Sequence, residues 1–321
     1  MYDIIIIGGG TAGLMAAKLL SAEGKKILLL EAKGRLGGRI RRIDDFFFPA
    51  EGGAEFIHGN LKTTFNLLKE ANLKKEKLKG KFCRVQKGKW TTDKDVVPHW
   101  ELLIQKLKAH ADDISVDDFL SKYFHAKKYD TLRKQFKKYV EGYDAANTKY
   151  TSVAAIRKEM EEQDEEQYRP VPDYFALINF LEQECLKDKA TIRTNEPVKQ
   201  ITRNKNIEVY TDLGKYFCSK VIIAIPLGVL QCNKKEKSFI DFPAFLKDYI
   251  NASKKIGNGG VIKFLTEFDE PFWLDKNFLK KKIFLHHLIF LLMKSFLHGG
   301  RSIHLNNHYL RAGLQGHPQL K

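Results

Sequence analysis

An α/β fold, a parallel sheet interrupted by a largely helical insertion, is predicted by three features of the chain. The apolar run Ile4-Ile5-Ile6-Ile7 leads through Gly8-Gly9-Gly10-Thr11-Ala12-Gly13 and an Ala/Leu-rich amphipathic stretch to a second run, Ile27-Leu28-Leu29-Leu30, which ends at Glu31. Residues 100–187 carry mainly helical patterning. Residues 198–225 then return to short strand patterns. Strand, glycine turn, helix, strand and terminal acid form the βαβ dinucleotide fingerprint. The fold class is therefore Rossmann-like, of the FAD/NAD(P)-binding kind, with a helical substrate domain inserted into it.

Each element has a physical reason. Gly8 allows the tight turn, Gly10 lets the backbone approach a pyrophosphate, and Gly13 lets helix and strand pack closely. Thr11, Ala12 and Gly13 open the helix, where unsatisfied amides and the macrodipole favour an anion. Glu31 can accept from ribose hydroxyls, and its charge would repel a 2′-phosphate, which argues against NADP. Arg41 to Phe48 has strand character and stops at Pro49, and Leu61 to Ala71 reads as a helix. Phe82 to Gln86 and Lys89 to Thr92 read as a hairpin around Lys87-Gly88. Ser115 followed by Asp118 has the form of an N-cap, and Thr151-Ser152 opens a helix from Val153 to Gln163. Val198 to Thr202, Ile207 to Thr211 and Tyr216 to Ile225 read as strands joined by polar turns. The expected division is 1–60 for the βαβ unit and its glycine motifs, 61–187 for the helical substrate domain, and 188–230 for further cofactor-domain strands. Residues 231–275 return to the substrate domain, and 276–321 form a tail.

Composition narrows the function. A chain of 321 residues with 43% hydrophobic content has ample core for two domains. Its longest apolar run, Ile283 to Met293, is short and is interrupted by His286-His287, so no membrane span is expected. Met1-Tyr2-Asp3 leads straight into the first strand, so no signal peptide is expected either. Cys83, Cys185, Cys218 and Cys232 lack metal-ligand spacing; reduced thiols in a cytoplasm are expected, and no metal site. The net charge of +16 suggests nucleic acid until its distribution is considered. Residues 276–321 hold eight Lys/Arg and no acid, while the other 275 residues carry 47 basic and 39 acidic groups. That remaining excess reads as solvated faces of helices, Leu73 to Lys77 among them, and no nucleic-acid partner is expected.

A second glycine motif separates flavin from nicotinamide. Glu31-Ala32-Lys33-Gly34-Arg35-Leu36-Gly37-Gly38-Arg39 is followed by Glu51-Gly52-Gly53-Ala54-Glu55-Phe56-Ile57-His58-Gly59. In these segments the chain resembles the FAD-dependent amine oxidases, the group of monoamine and polyamine oxidases. The resemblance implies FAD as cofactor, with Arg35 and Arg39 along its diphosphate, and Gly53 and Ala54 beside the isoalloxazine ring. Guanidinium forks suit phosphate oxygens, and Gly37-Gly38 let the backbone run against the cofactor. Val198 resembles the family valine that meets the adenine through its backbone, and Ile225 to Leu230 resembles the segment returning to the substrate domain. Alone, Val198 reads as core. Ile256 to Phe264, followed by Phe268 to Trp273, resembles the segment whose lysine holds a water against flavin N5, and Lys263 occupies that place. Alone, a lysine alternating with apolar residues in a strand would face solvent.

From Lys276 onward the resemblance stops. Six of the ten histidines lie there, and neither the family's second FAD segment nor its aromatic substrate walls follow. Back-translating His298 to His304 with synonymous codons and reading one nucleotide out of frame permits TWWTQYP; continuing to Leu320 permits SEQPLPTGWLAGPSAA. Both resemble the family's continuation, and Lys280-Lys281-Lys282 can be encoded by an unbroken adenine run. A frameshifted amine oxidase gene is expected, the alternative being a divergent basic tail.

The resemblance implies a reaction. A neutral amine gives a hydride equivalent to flavin, the imine hydrolyses, and dioxygen reoxidises the cofactor to give hydrogen peroxide. Lys263 would orient a water and His58 would exchange protons near the amine, with Glu55 a weaker candidate for attracting a cationic substrate. Protoporphyrinogen oxidases and carotenoid desaturases share the N-terminal motifs and remain alternatives, as does a non-catalytic truncated product.

Overall fold

The computed structural model describes the chain except for residues 47–48, 79, 87–88, 93–96, 163–165, 268–287, 291–299, 307–308 and 317–321. The N-terminal part runs β1 (Tyr2–Ile7), α1 (Thr11–Ala22), β2 (Ile27–Leu30), β3 (Arg42–Ile43), β4 (Ala50–Glu51), β5 (Ile57–His58), α2 (Lys62–Glu70) and β6 (Lys74–Lys77). Next come β7 (Gly80–Gln86), β8 (Lys89–Thr92), α3 (Trp100–Ala109), α4 (Val116–Tyr123), α5 (Asp130–Tyr143) and α6 (Val153–Glu162). After them lie β9 (Gln167–Val171), α7 (Phe175–Lys187), β10 (Thr191–Arg193), β11 (Val198–Arg203), β12 (Ile207–Thr211), β13 (Gly214–Ile223), α8 (Leu227–Leu230) and α9 (Lys247–Ser253). The last elements are β14 (Gly260–Glu267), β15 (Leu288–Phe290), β16 (Gly300–Asn306) and β17 (Tyr309–Gly316).

The chain forms two compact units, residues 1–77 with 166–256 and residues 78–165 with 257–321. The sequence division placed its boundaries at 61, 188 and 231. The first unit holds α2, β6, β9, α7 and residues 231–256 together with the βαβ segment.

The first unit is built on a six-stranded sheet of order β10-β2-β1-β13-β12-β11. β10, β2, β1 and β13 run parallel, and β13, β12 and β11 form an antiparallel meander. Ile4 to Ile7 of β1 are all apolar and buried because both faces of the sheet are covered there. Ile4 and Ile6 pack with Leu14 and Ala17 of α1 and with Leu177, Ile178 and Leu181 of α7. Ile5 and Ile7 face the other way, into a core with Val198, Ile201, Val209 and Ile240. Each such side chain, fully buried, contributes about 1.5–3 kcal/mol.

The second unit has a helical core of Leu103, Leu107, Val116, Phe119, Leu120, Phe124, Leu132, Phe136, Val140, Val153 and Ile156. The expected caps are present: Asp118 N donates to Ser115 Oγ at 3.0 Å, and Ala155 N donates to Ser152 Oγ at 3.0 Å. A sheet of order β14-β17-β16-β15-β7-β8 belongs to the same unit, with Lys263 of β14 opposite Gly313 of β17. β17, a strand from the tail, thus pairs with the Lys263 strand at the edge of this sheet. The turn expected at Lys87-Gly88, the segment 268–273 and the adenine-run lysines 280–282 lie outside the described residues.

Two strands, β6 and β9, lie where the sequence pattern predicts helix. Lys74–Lys77, read as part of a helical face, is strand β6. It pairs antiparallel with β9, which lies within the mainly helical pattern of residues 100–187, placing Glu76 opposite Arg169 and Lys77 opposite Tyr168. Lys75 Nζ stands 3.1 Å from the Phe65 ring centroid and 4.6 Å from that of Tyr168. Cross-strand charge and cation–π pairs to a segment some ninety residues away override a local pattern rich in helix formers.

Candidate active site

The glycine turn sits where β1 hands over to α1. Gly8 has φ +108°, a left-handed conformation, and a Cβ there would lie 2.5 Å from Ala224 O. A Cβ on Gly13 would lie 1.9 Å from Gly8 O, so the helix can approach the strand end only if position 13 has no side chain. Gly10 caps α1 without a side-chain hydrogen bond. Thr11, Ala12 and Gly13 form its first turn, where helical geometry leaves backbone amides without intrahelical partners.

The second glycine motif is pressed against the first. Gly37 N donates to Gly9 O at 2.8 Å, Gly10 and Gly37 form a bridge, and a Cβ on Gly38 would come within 3.3 Å of Gly10 Cα. The two motifs make one cradle of bare backbone at the N-terminus of α1, a shape that any side chain at these positions would fill. Glu31 closes one side: its Oε2 accepts from Gly9 N at 2.7 Å and its Oε1 from Lys33 N at 2.8 Å. Each oxygen retains a lone pair for a further donor. Ala32 is exposed beside it.

Arg35 and Arg39 differ in setting. The Arg35 guanidinium turns onto its own loop, donating to Gly38 O at 3.0 Å, Leu36 O at 3.2 Å and Ile40 O at 3.4 Å. Burial, then the nearby Arg41 charge, lowers its pKa from the usual arginine value. It shapes the loop from within, whereas Arg39 is exposed. Gly53 and Ala54 run directly past Arg39: Ala54 N donates to Arg39 O at 3.0 Å, and a Cβ on Gly53 would lie 2.0 Å from that oxygen. The hairpin carrying them is fastened to the start of α7, where Glu51 Oε1 accepts from Tyr174 N at 2.6 Å.

His58 lies on β5 opposite Gln167 of β9. It is open to solvent on one side, with the Phe56 ring 6.4 Å away edge-on, and the protein crowding its other side lowers its pKa. Its imidazole is therefore neutral at pH 7. The Val198 side chain is buried in the core, so only its backbone is available to a ligand. The first unit thus gathers Gly8, Gly10, Thr11, Ala12, Gly13, Glu31, Ala32, Arg35, Gly37, Gly38, Arg39, Gly53, Ala54, His58 and Val198. Lys263, half-buried, belongs to the second unit.

Two residues escaped the sequence reading. Leu36 is buried, its Cδ2 held where a Cβ on Gly9 would come within 2.6 Å, so it joins the two motifs. Glu196 is 2% exposed: its Oε1 accepts from the hydroxyls of Thr211 (2.9 Å) and Tyr216, Arg193 Nη1 stands 3.7 Å from its Oε2, and its own N–H donates to Glu31 O at 2.9 Å. Its only sequence signal is an acid two residues before Val198. Among the described residues no group of His, Cys, Asp and Glu is arranged to hold a metal.

The model of the family described as "flavin containing amine oxidoreductase" matches residues 11–292. This chain belongs to that family. The match runs past Lys276, where the sequence reading ended the resemblance. FAD is accordingly the cofactor, and the bare-backbone cradle at the start of α1 fits its diphosphate. The chain is 25% identical over 305 residues to lysine-specific histone demethylase 2 of Homo sapiens, covering 85% of this chain and 35% of that protein. It is 25% identical over 313 residues to polyamine oxidase 2 of Arabidopsis thaliana, covering 86% and 61%. Over a short stretch of 61 residues it is 62% identical to (S)-6-hydroxynicotine oxidase of Paenarthrobacter nicotinovorans, covering 18% and 14%. The chain therefore spans about a third of the length of the demethylase and about three-fifths of that of polyamine oxidase 2. Its fold is also that of a putrescine oxidase solved with putrescine, at a TM-score of 0.73 and 17% identity over 98% of this chain and 76% of that one. Cyclohexylamine oxidase from Brevibacterium oxydans IH-35A gives 0.74 and 16% over 98% and 75%. Among the described residues no helix is long and apolar enough to cross a membrane.

Proposed function

We propose that the protein is a flavin amine oxidase that converts the CH–NH unit of a small amine to an imine, with dioxygen as acceptor and hydrogen peroxide released. The observation that carries this reading is the contact of the two glycine motifs, which leaves a backbone groove at the head of α1 beside Glu31. In it, the amides of residues 11–13 and the exposed Arg39 would hold the diphosphate, Glu31 a ribose, the backbone at Val198 the adenine, and Gly53-Ala54 the ring system. Bound FAD supplies the two-electron acceptor for the carbon next to the nitrogen.

The chain's own groups then do limited work. His58, neutral at pH 7, can accept the proton that an ammonium substrate must lose before its carbon can give up hydride. Gly53 and Ala54 have no bulk with which to displace a substrate. Lys263 is assigned to orienting a water at the reacting nitrogen of the ring, and Glu55 to drawing in a cationic amine. A soluble, cytoplasmic setting suits an enzyme of this kind.

The test is a visible absorption spectrum of the purified chain after loading with FAD and desalting, followed by peroxide release from a panel of monoamines, diamines and polyamines. Retained flavin bands with amine-dependent peroxide support the proposal. Retained flavin that no amine reduces assigns the site to another FAD chemistry, and loss of flavin on desalting overturns the proposed site for this chain.

A further inference from the structure

The second unit contains a pair of carboxyl groups that no step above uses. Asp144 caps the C-terminus of α5, and Glu159 projects from α6 into hydrogen-bonding contact with it. Two carboxyl groups can share a hydrogen bond only if one of them carries a proton. The surroundings decide which. Glu159 Oε1 accepts from the Tyr139 hydroxyl at 3.2 Å, so it has a donor that favours its charge. Asp144 Oδ2 is buried, and no N–H or O–H donor among the described residues reaches it. The Asp144 oxygen is satisfied only by holding a proton and donating it. Burial first, and then the Glu159 charge and hydrogen bond, push the Asp144 pKa up to about 7. Among the described residues, the titratable groups facing Asp144 are thus Glu159 from α6 and, through Glu159, Tyr139 from α5.

The next residue carries this pair toward β14. Ala145 takes a left-handed conformation, φ +51°, and its carbonyl points at Gly259. A Cβ on Gly259 would lie 1.9 Å from Ala145 O and 2.8 Å from Ala145 Cβ, so the two backbones are in direct contact. Gly259 immediately precedes β14, and Lys263 is four residues further along. Backbone on backbone leaves no flexible side chain to absorb a movement.

We propose that Asp144 and Glu159 form a proton-shared latch between α5 and α6 that sets the seat of β14 through the Ala145–Gly259 contact. With the proton in place the end of α5 is bonded to α6 and Ala145 holds Gly259. When the proton leaves, two carboxylates face each other at short range, the end of α5 separates from α6, and β14 loosens at its start. Asp144 and Glu159 are positioning residues, acting on Lys263 only through the backbone. The consequence for turnover rests on the role given to Lys263 above; the latch itself does not.

The experiment is hydrogen exchange of the full chain, read by mass spectrometry on peptides covering 257–267, between about pH 6 and about pH 8.5. Rates are normalised to an unstructured peptide to remove the intrinsic pH dependence. The expected result is an excess exchange of the β14 segment that rises at least about tenfold with a midpoint near 7, while peptides from β1 and β2 stay flat. Asp144→Asn gives the pair a permanent donor and should hold β14 protected across the whole range. Glu159→Gln, which supplies a donor from the other side, should do the same if Asp144→Asn folds poorly. A flat profile in the parent, or a step that survives both substitutions, overturns the latch. If the step is present and vanishes in the variants but amine oxidation does not track it, the latch stands and the role of Lys263 falls.

Discussion

Replacing Gly13 by Ala sets two physical effects against each other. Alanine in a helix interior is better than glycine by about 1 kcal/mol, so propensity alone predicts a more stable protein. The structure predicts the reverse, because the new Cβ would lie 1.9 Å from Gly8 O and 3.4 Å from Ile6 Cγ2. Restoring an ordinary contact near 3.4 Å requires moving α1 away from the β1 turn by about 1.5 Å. That motion loosens Leu14 and Ala17 from Ile4 and Ile6 in a close-packed layer. Overpacking of this kind costs about 1–3 kcal/mol, and a backbone carbonyl as the obstacle puts it at the upper end, for a net loss of about 1–2 kcal/mol. The melting temperature should fall by roughly 2–8 °C for a unit of this size.

Cofactor binding should suffer more than stability. The displaced helix takes its first amides with it, and losing one hydrogen bond to a charged group, worth about 1.5–3 kcal/mol, weakens FAD by roughly 10–150-fold. The assay is a flavin-fluorescence titration alongside thermal unfolding of the apoprotein. Gly24→Ala is the control: Gly24 has φ +74° with nothing within 4 Å of its Cβ position, so it should cost stability through backbone strain and leave FAD affinity alone. If Gly13→Ala melts with the parent and binds FAD within about threefold of it, the steric argument is wrong.

Other outcomes follow from the same geometry. Glu31→Ala frees the Gly9 and Lys33 amides and should weaken FAD by about tenfold or more, with Glu31→Gln intermediate because one amide oxygen keeps one of the two bonds; isothermal titration measures both. Lys263→Met should leave the flavin spectrum and FAD affinity intact while slowing reduction by amine under stopped flow. His58 has a folded pKa below its unfolded value near 6.5, so the unfolded chain gains the proton first as pH falls. Stability should therefore drop below about pH 6.5, and urea titrations of His58→Gln should show a smaller drop. Asp144 has the opposite sign: its folded pKa of about 7 lies above the unfolded value near 3.9, so the folded state binds more protons in that window. The contribution is present at low pH and lost as pH rises toward 7; Asp144→Asn should flatten that slope in denaturant melts.

The βαβ unit was legible because its determinants are local. Gly8, Gly10 and Gly13 act within six residues, and the apolar runs of β1 and β2 need only neighbours on both faces of a sheet. The caps at Ser115 and Ser152 were equally local. Lys74–Lys77 was misread because four exposed, charged residues carry no apolar period, and only pairing with β9 makes them a strand. Arg35 was expected on the diphosphate; its bonds to the carbonyls of its own loop could not be seen without the loop's shape.

By itself, then, the sequence determined the family, the cofactor and the positions that must lack a side chain, because glycine spacing and strand–turn–helix order act over short stretches of chain. Tertiary structure alone decided that the two glycine motifs make one groove, that Glu196 anchors the strand ends beside Glu31, and that Asp144 meets Glu159 behind Ala145. Those contacts join residues far apart in the chain. A buried carboxyl looks like any surface acid until the groups around it are in place.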